Sequence, residues 1–305
     1  GVLKIRCLEF ISSLIDPNVL EPHQAEKVLF VKSFDWLNTV VSPMLDAEIK
    51  QRLGIDNHHD NNDDGIKNTV EIDVLTLLMD IISHCIELQT KKMKNVIDSM
   101  VLGKLSTILF EFRLIDTNPI ILTKCLNIIH PYLKSKLHGN EVEYLVTTMK
   151  LDIFFMKAIG DIDSGKQYVT KIKLDNDDTD DDLFVEFFES LYRLNQISIT
   201  FLKNIMISYK MTMIFRLITI AEGLLVTAPN TTITLREKIT QKLDLLFSVF
   251  SQLTVDFELF DKRDKNIMCM KLINIFDLTY FQNIQISGVL NDNLFLLLSY
   301  NILDD

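Results

Sequence analysis

The stretch Asp60–Glu71, DNNDDGIKNTVE, has the residue types and spacing of a calcium loop. Calcium is held by hard oxygen ligands drawn from loop positions one, three, five and twelve, with glycine at six for the tight turn. Asp60, Asn62, Asp64 and Glu71 fill those ligand positions here, and Gly65 fills the turn. Three details weigh against binding. Position eight holds Lys67 where an apolar residue would pair with a partner loop, and Ile66 lies one place early. No second loop of this kind occurs in the chain. The entering segment, GIDNHH, is a poor helix, although the exiting one is good. A solvated acidic loop is therefore the expectation, with these four residues a weak calcium candidate.

Two other charged clusters invite chemistry. LDNDDTDDDL, residues 174–183, has six aspartates. It would suit a basic partner, or make Thr179 a target for an acid-directed kinase. A solvated connection is simpler, its last aspartates favouring the N-terminus of a helix beginning near Leu183. Lys91, Lys92 and Lys94 stand at a junction between two helical patterns. They are weak candidates for holding a phosphate or an acidic peptide, and three lysines at such a turn are more simply solvated.

Catalytic signatures are lacking. His84 and Cys85 are adjacent and so point in different directions on a helix. His58 and His59 share a polar loop, and His23, His130 and His138 read as helix-edge residues. There is no HExxH pair, no GxSxG, no GxxxxGK[ST] and no GxGxxG. Nucleophilic catalysis needs a base and an orienting group beside the nucleophile, and nothing nominates them. The expectation is a protein that is not an enzyme and carries no cofactor.

Composition narrows the class further. The chain has 305 residues, 48% of them hydrophobic, with only nine glycines and six prolines, too few for a turn-rich sandwich or barrel. A formal charge of −11 disfavours direct nucleic-acid binding. Cys7, Cys85, Cys125 and Cys269 lie far apart within apolar helical patterns, with no zinc spacing. They read as buried thiols in a reducing compartment, the nucleus or the cytoplasm. No apolar run approaches the roughly 18 uncharged residues of a membrane span. Lacking an initiator methionine and a signal peptide, the chain reads as an internal fragment.

The elements that must position these residues are helices. From Val74 to Leu88, apolar residues recur at 74, 75, 78, 81, 82, 85 and 88, the period of an α-helix. Leu235, Ile239, Leu243, Leu246, Phe250 and Leu253 repeat the pattern, signed at its start by Thr234 and Glu237 as a capping box. Breakers delimit helices near 3–15, from Pro22 through Trp36 to Ser42-Pro43, and at 44–53, 70–90 and 92–113. Further helices are expected from Asn118-Pro119 to a bend or end at His130-Pro131, from Gly139-Asn140 to about Ala158, and near 182–194, 196–208, 210–226, 234–253, 264–282 and 289–302. Trp36 reads as a core anchor.

Helices of this length, paired every roughly 40 residues, are the rhythm of HEAT or armadillo arrays. The expectation is one all-α repeat array over residues 1–305, interrupted by acidic loops near 54–69 and 160–181. A compact helical bundle is the alternative.

The order of segments also resembles a known family. LIDPNVL (14–20), FVKSFDWLNTVVSPML (30–45), an acidic insertion, and LLMDIISHCIELQTKKMKNVIDSMVLGKLSTIL (77–109) follow one another. MKLDIFFMKAI (149–159) and DLFVEFFESLYRL (182–194) extend the match. This is similar to the helical-repeat region of regulatory subunit 3 of protein phosphatase 4, the SMEK or falafel family. Residues from about 225 onward have no counterpart, and the family's amino-terminal peptide-binding domain is absent. The resemblance implies a scaffold without catalytic residues, whose partner is a phosphatase catalytic subunit and whose targets are nuclear phosphoproteins. Two other classes stay open: another helical-repeat adaptor, in chromosome or transport machinery, and a calcium-responsive protein using the 60–71 loop.

Overall fold

The computed structural model describes residues 2–16, 18–19, 37–53, 74–90, 120–134, 139–159, 178–226, 233–256, 259–281, 284, 292 and 299. All regular structure among them is helical, with no strand. The chain divides into two compact units, Gly1–Leu151 and Asp152–Asp305.

The first unit contains α1 (Val2–Leu14), α2 (Ser42–Leu53), α3 (Val74–Thr90), α4 (Ile120–Lys134) and α5 (Gly139–Met149). A π-helical turn, Leu37–Val41, runs directly into α2. Pro43 therefore does not stop a helix. It lies two residues past the π turn, and the helical run continues through it. In α3 the apolar rows drive the fold as the sequence period requires. Leu75, Leu78, Met79, Ile81, Ile82 and Cys85 are buried, and α3 packs on α1, α2 and α4.

Helix α4 continues through Pro131 to Lys134, so of the bend or end expected there it is not an end. A proline inside a helix costs a hydrogen bond and a ring clash, about 3 kcal/mol. Here Cys125, Leu126, Ile128 and Ile129 before it and Leu133 after it are all buried. Burial on both sides outweighs the break. His130 is buried within this helix rather than placed at a helix edge.

The second unit contains α6 (from Leu151, the last residue of the first unit, to Ile159), α7 (Asp178–Ile197), α8 (Ile199–Asn204), α9 (Lys210–Val226), α10 (Ile233–Leu253) and α11 (Lys262–Phe281). The single helix expected from 139 to about 158 is two, α5 and α6, separated by Lys150 with φ 51°. Helix α7 begins at Asp178, five residues ahead of Leu183, so the last four aspartates of the 174–183 run are helical rather than part of a loop. Helix α10 begins at Ile233, so Thr234 is already helical.

This unit's core is aromatic. Phe155 lies 4.8 Å from Phe187 and 5.9 Å from Phe201, ring centroid to centroid, joining α6 to α7 and α8. Phe184 and Phe188 stack one turn apart on α7. Helix α10 packs between α7 and α9, and α9 also packs on α11. A half-buried amide pair adds direction to the α7–α10 contact. Asn195 donates to the Gln252 side chain at 2.9 Å, and Gln252 donates to the Tyr192 carbonyl at 3.1 Å.

Candidate protein-docking site

Asp60, Asn62, Asp64 and Glu71, the acidic loop 54–69, and the cluster Lys91, Lys92 and Lys94 lie outside the described residues, as do Trp36 and His23, His58, His59 and His138. Among the described residues, no three His, Cys, Asp or Glu side chains gather as metal ligands. No described helix is long and apolar enough to cross a membrane. Three of the four thiols are buried as expected, and burial pushes Cys85 up to about 12 and Cys125 higher still. Cys7 is the exception. It is exposed, because it lies on the face of α1 that turns away from Leu8.

The most distinctive surface surrounds a second π-helical turn, Ile205–Tyr209. The helix entering it is set by Ser198, whose Oγ accepts the Phe201 N–H at 3.0 Å. Phe201 and Ile205 then form a buried row. A regular helix would continue that row at positions 208 and 212, where Ser208 and Thr212 are exposed. The core row resumes instead at Met213 and Leu217. One extra residue per turn, which a π turn supplies, absorbs the offset. The segments 196–208 and 210–226 are consequently one continuous helical run from Ile199, with a bulge where the sequence reads a break.

The bulge leaves Ile207 72% exposed. Just after it, Lys210 reaches the segment between α10 and α11. Its Nζ is 2.6 Å from Asp256 Oδ1 and 3.9 Å from the centroid of the buried Phe260 ring. The ammonium is thus held by a carboxylate and an aromatic face together. Asp256 also closes a turn, its carbonyl accepting the Leu259 N–H at 2.9 Å. That turn presents Val255 and Leu259 outward, 84% and 82% exposed.

Three large aliphatic side chains are thus exposed close in sequence to this ion pair, Ile207 before Lys210 and Val255 and Leu259 on either side of Asp256. Near these residues along the chain, Lys203, Lys262 and Arg263 are exposed, as is Asp261. Nothing in the group pairs a nucleophile with a base. What it offers is exposed apolar side chains, with exposed cations nearby along the chain. The sequence reading missed Ile207, Lys210, Val255, Asp256 and Leu259. The one signal that marks them is the one-residue phase slip between Ile205 and Met213.

No family model, no curated protein and no solved structure matches this chain.

Proposed function

We propose that this chain is a non-enzymatic protein-binding scaffold whose helix pairs stack serially in the manner of HEAT or armadillo repeats. Its partner grips the second unit at the π turn. Amphipathic helices that cannot hide their apolar faces alone bury them by stacking, and the outer positions are then free to carry contacts. The observation that carries the reading is the exposure of Ile207, Val255 and Leu259 around the Lys210–Asp256 pair. Isolated exposed aliphatics are ordinary. A cluster rimmed by charge is what marks an interaction site.

The partner is a protein segment with apolar anchors and acidic flanks, matched to the exposed Lys203 and Arg263. The sequence resemblance to regulatory subunit 3 of protein phosphatase 4 nominates a phosphatase catalytic subunit, acting in the nucleus or cytoplasm. Affinity capture from the native host, comparing the wild type with the double variant Ile207→Asp, Leu259→Asp, tests this. A phosphatase catalytic subunit retained by the wild type and lost with the variant supports the reading. Identical partner sets would reject the site, and a partner set without a phosphatase would reject the nominated partner in favour of an adaptor role.

A further inference from the structure

The π turn decides where Lys210 points. Counted at about 100° per residue from the buried Ile205, an uninterrupted α-helix would carry residue 210 about 140° off the buried row, facing outward. Counted back from Met213, where that row resumes, residue 210 lies only about 60° off it, on the flank of the core face. The side chain agrees with the second count, being 16% exposed. The extra residue of the turn Ile205–Tyr209 has thus rotated a lysine inward, against the connection between α10 and α11.

There Lys210 touches two points of that connection. One is Asp256, whose carboxylate pairs with the ammonium and whose carbonyl accepts the Leu259 N–H. The other is the ring of Phe260, under the same ammonium. The ends of the connection are fixed by other means. Thr254 is buried and its hydroxyl donates to the Phe250 carbonyl at 3.1 Å, and Phe260 is buried. Val255 and Leu259, between those ends, are exposed and gain nothing from burial. Among the described residues, Lys210 is the one cation paired with Asp256. An ammonium shared by a carboxylate and an aromatic face is held more sharply than by either contact alone.

We propose that Lys210 is the positioning residue of the docking site. It latches the turn that carries Val255 and Leu259 to the start of α9, and so presents those two side chains together with Ile207. The inference rests on the docking reading above and adds how that site is assembled from two chain segments. The latch depends on charge. A neutral side chain of similar length keeps its packing on Phe260 and releases Asp256. Loss of the ammonium therefore disperses the site without altering Ile207, Val255 or Leu259.

Spin labels placed through Ile207→Cys and Leu259→Cys read the latch directly in the full 305-residue chain, with Cys7→Ser removing its one exposed thiol. The distance between the labels should be single and narrow with Lys210 and with Lys210→Arg, and broad with Lys210→Met or Asp256→Asn. Arginine keeps the charge for both contacts, whereas methionine keeps only an unbranched apolar stem. In chains without the labels, hydrogen exchange at the Leu259 amide reads the same turn. It should quicken on the order of tenfold in Lys210→Met and stay unchanged in Lys210→Arg. A narrow distance and slow exchange that survive Lys210→Met would overturn the proposal. So would an Asp256→Asn variant without effect, or a Lys210→Arg variant as broad as Lys210→Met, which would reduce the role to packing. Neither readout needs a partner, so the latch is judged apart from the docking reading, which the Ile207→Asp, Leu259→Asp comparison judges.

Discussion

The Ser83 hydroxyl of α3 donates to the main-chain carbonyl of Asn127 in α4 across 3.1 Å. In a regular helix that carbonyl accepts the N–H four residues on. Residue 131 is a proline and has none. A side chain from the neighbouring helix therefore takes the place of the missing backbone donor, which helps α4 pass through Pro131. Ser83→Ala leaves the carbonyl unmet and should cost about 1–2 kcal/mol in urea unfolding. In a Pro131→Ala background the backbone donor returns, and the same change should become nearly neutral. The coupling in that double-mutant cycle is the quantity to measure.

Phe155 is the hub of the second unit's core. It touches Phe187 and Phe201, and its neighbour Phe154 lies edge-on at 5.3 Å. Phe155→Ala should destabilise by about 3–5 kcal/mol, through lost transfer energy plus a cavity. Phe155→Leu keeps most of the volume and forfeits the ring geometry, so a loss of about 1–2 kcal/mol is expected. Thermal unfolding of the two variants side by side tests the ordering.

These two cases show what sequence periodicity captures. The rows of α3 and α10 are legible because Leu75, Leu78, Ile82 and Cys85, or Ile239, Leu243, Leu246 and Phe250, fall on one face and are buried there. Pro131 leaves bend and end both open in the sequence, and the helix does not end there because burial on both sides outweighs local propensity. Lys150 is illegible because nothing in MKLDI announces a left-handed residue. The Lys210–Asp256 contact is illegible for a different reason. Its members come from a helix bulge and a turn 46 residues apart, from Lys210 to Asp256, and only tertiary packing brings them together.

The Lys150 backbone should be improvable. A φ of 51° puts the Cβ of any L-residue too close to the following carbonyl, and glycine is free of that contact. Lys150 is exposed, so its side chain holds no core contact. Lys150→Gly should raise stability by about 0.5–1 kcal/mol, strain relief exceeding the entropy that glycine adds to the unfolded chain. Lys150→Pro should lower it markedly, since proline cannot adopt a positive φ. Paired melting curves of the two variants decide the matter.

The thiols divide by accessibility. Cys7 should react with a maleimide in the native protein within the mixing time, whereas Cys85, Cys125 and Cys269 should react only after unfolding. The pH dependence has a definite sign. Burial raises Cys85 from its ordinary 9.0 to about 12, so the folded state keeps a proton that the unfolded state gives up. That contribution to stability is complete below pH 9 and is lost progressively as pH climbs from about 9 to about 12. Cys125 is raised for the same reason and adds to the slope. Cys85→Ala should flatten the alkaline limb of the stability curve.

The most direct measurement is a binding isotherm for the captured partner, taken with the wild type and with the Ile207→Asp, Leu259→Asp double variant. Both changed side chains are exposed, so the helical circular dichroism and melting temperature should be preserved. Affinity should fall by roughly tenfold or more, since a few central apolar anchors carry most of an interface's energy. Equal affinities for the two proteins would contradict the account.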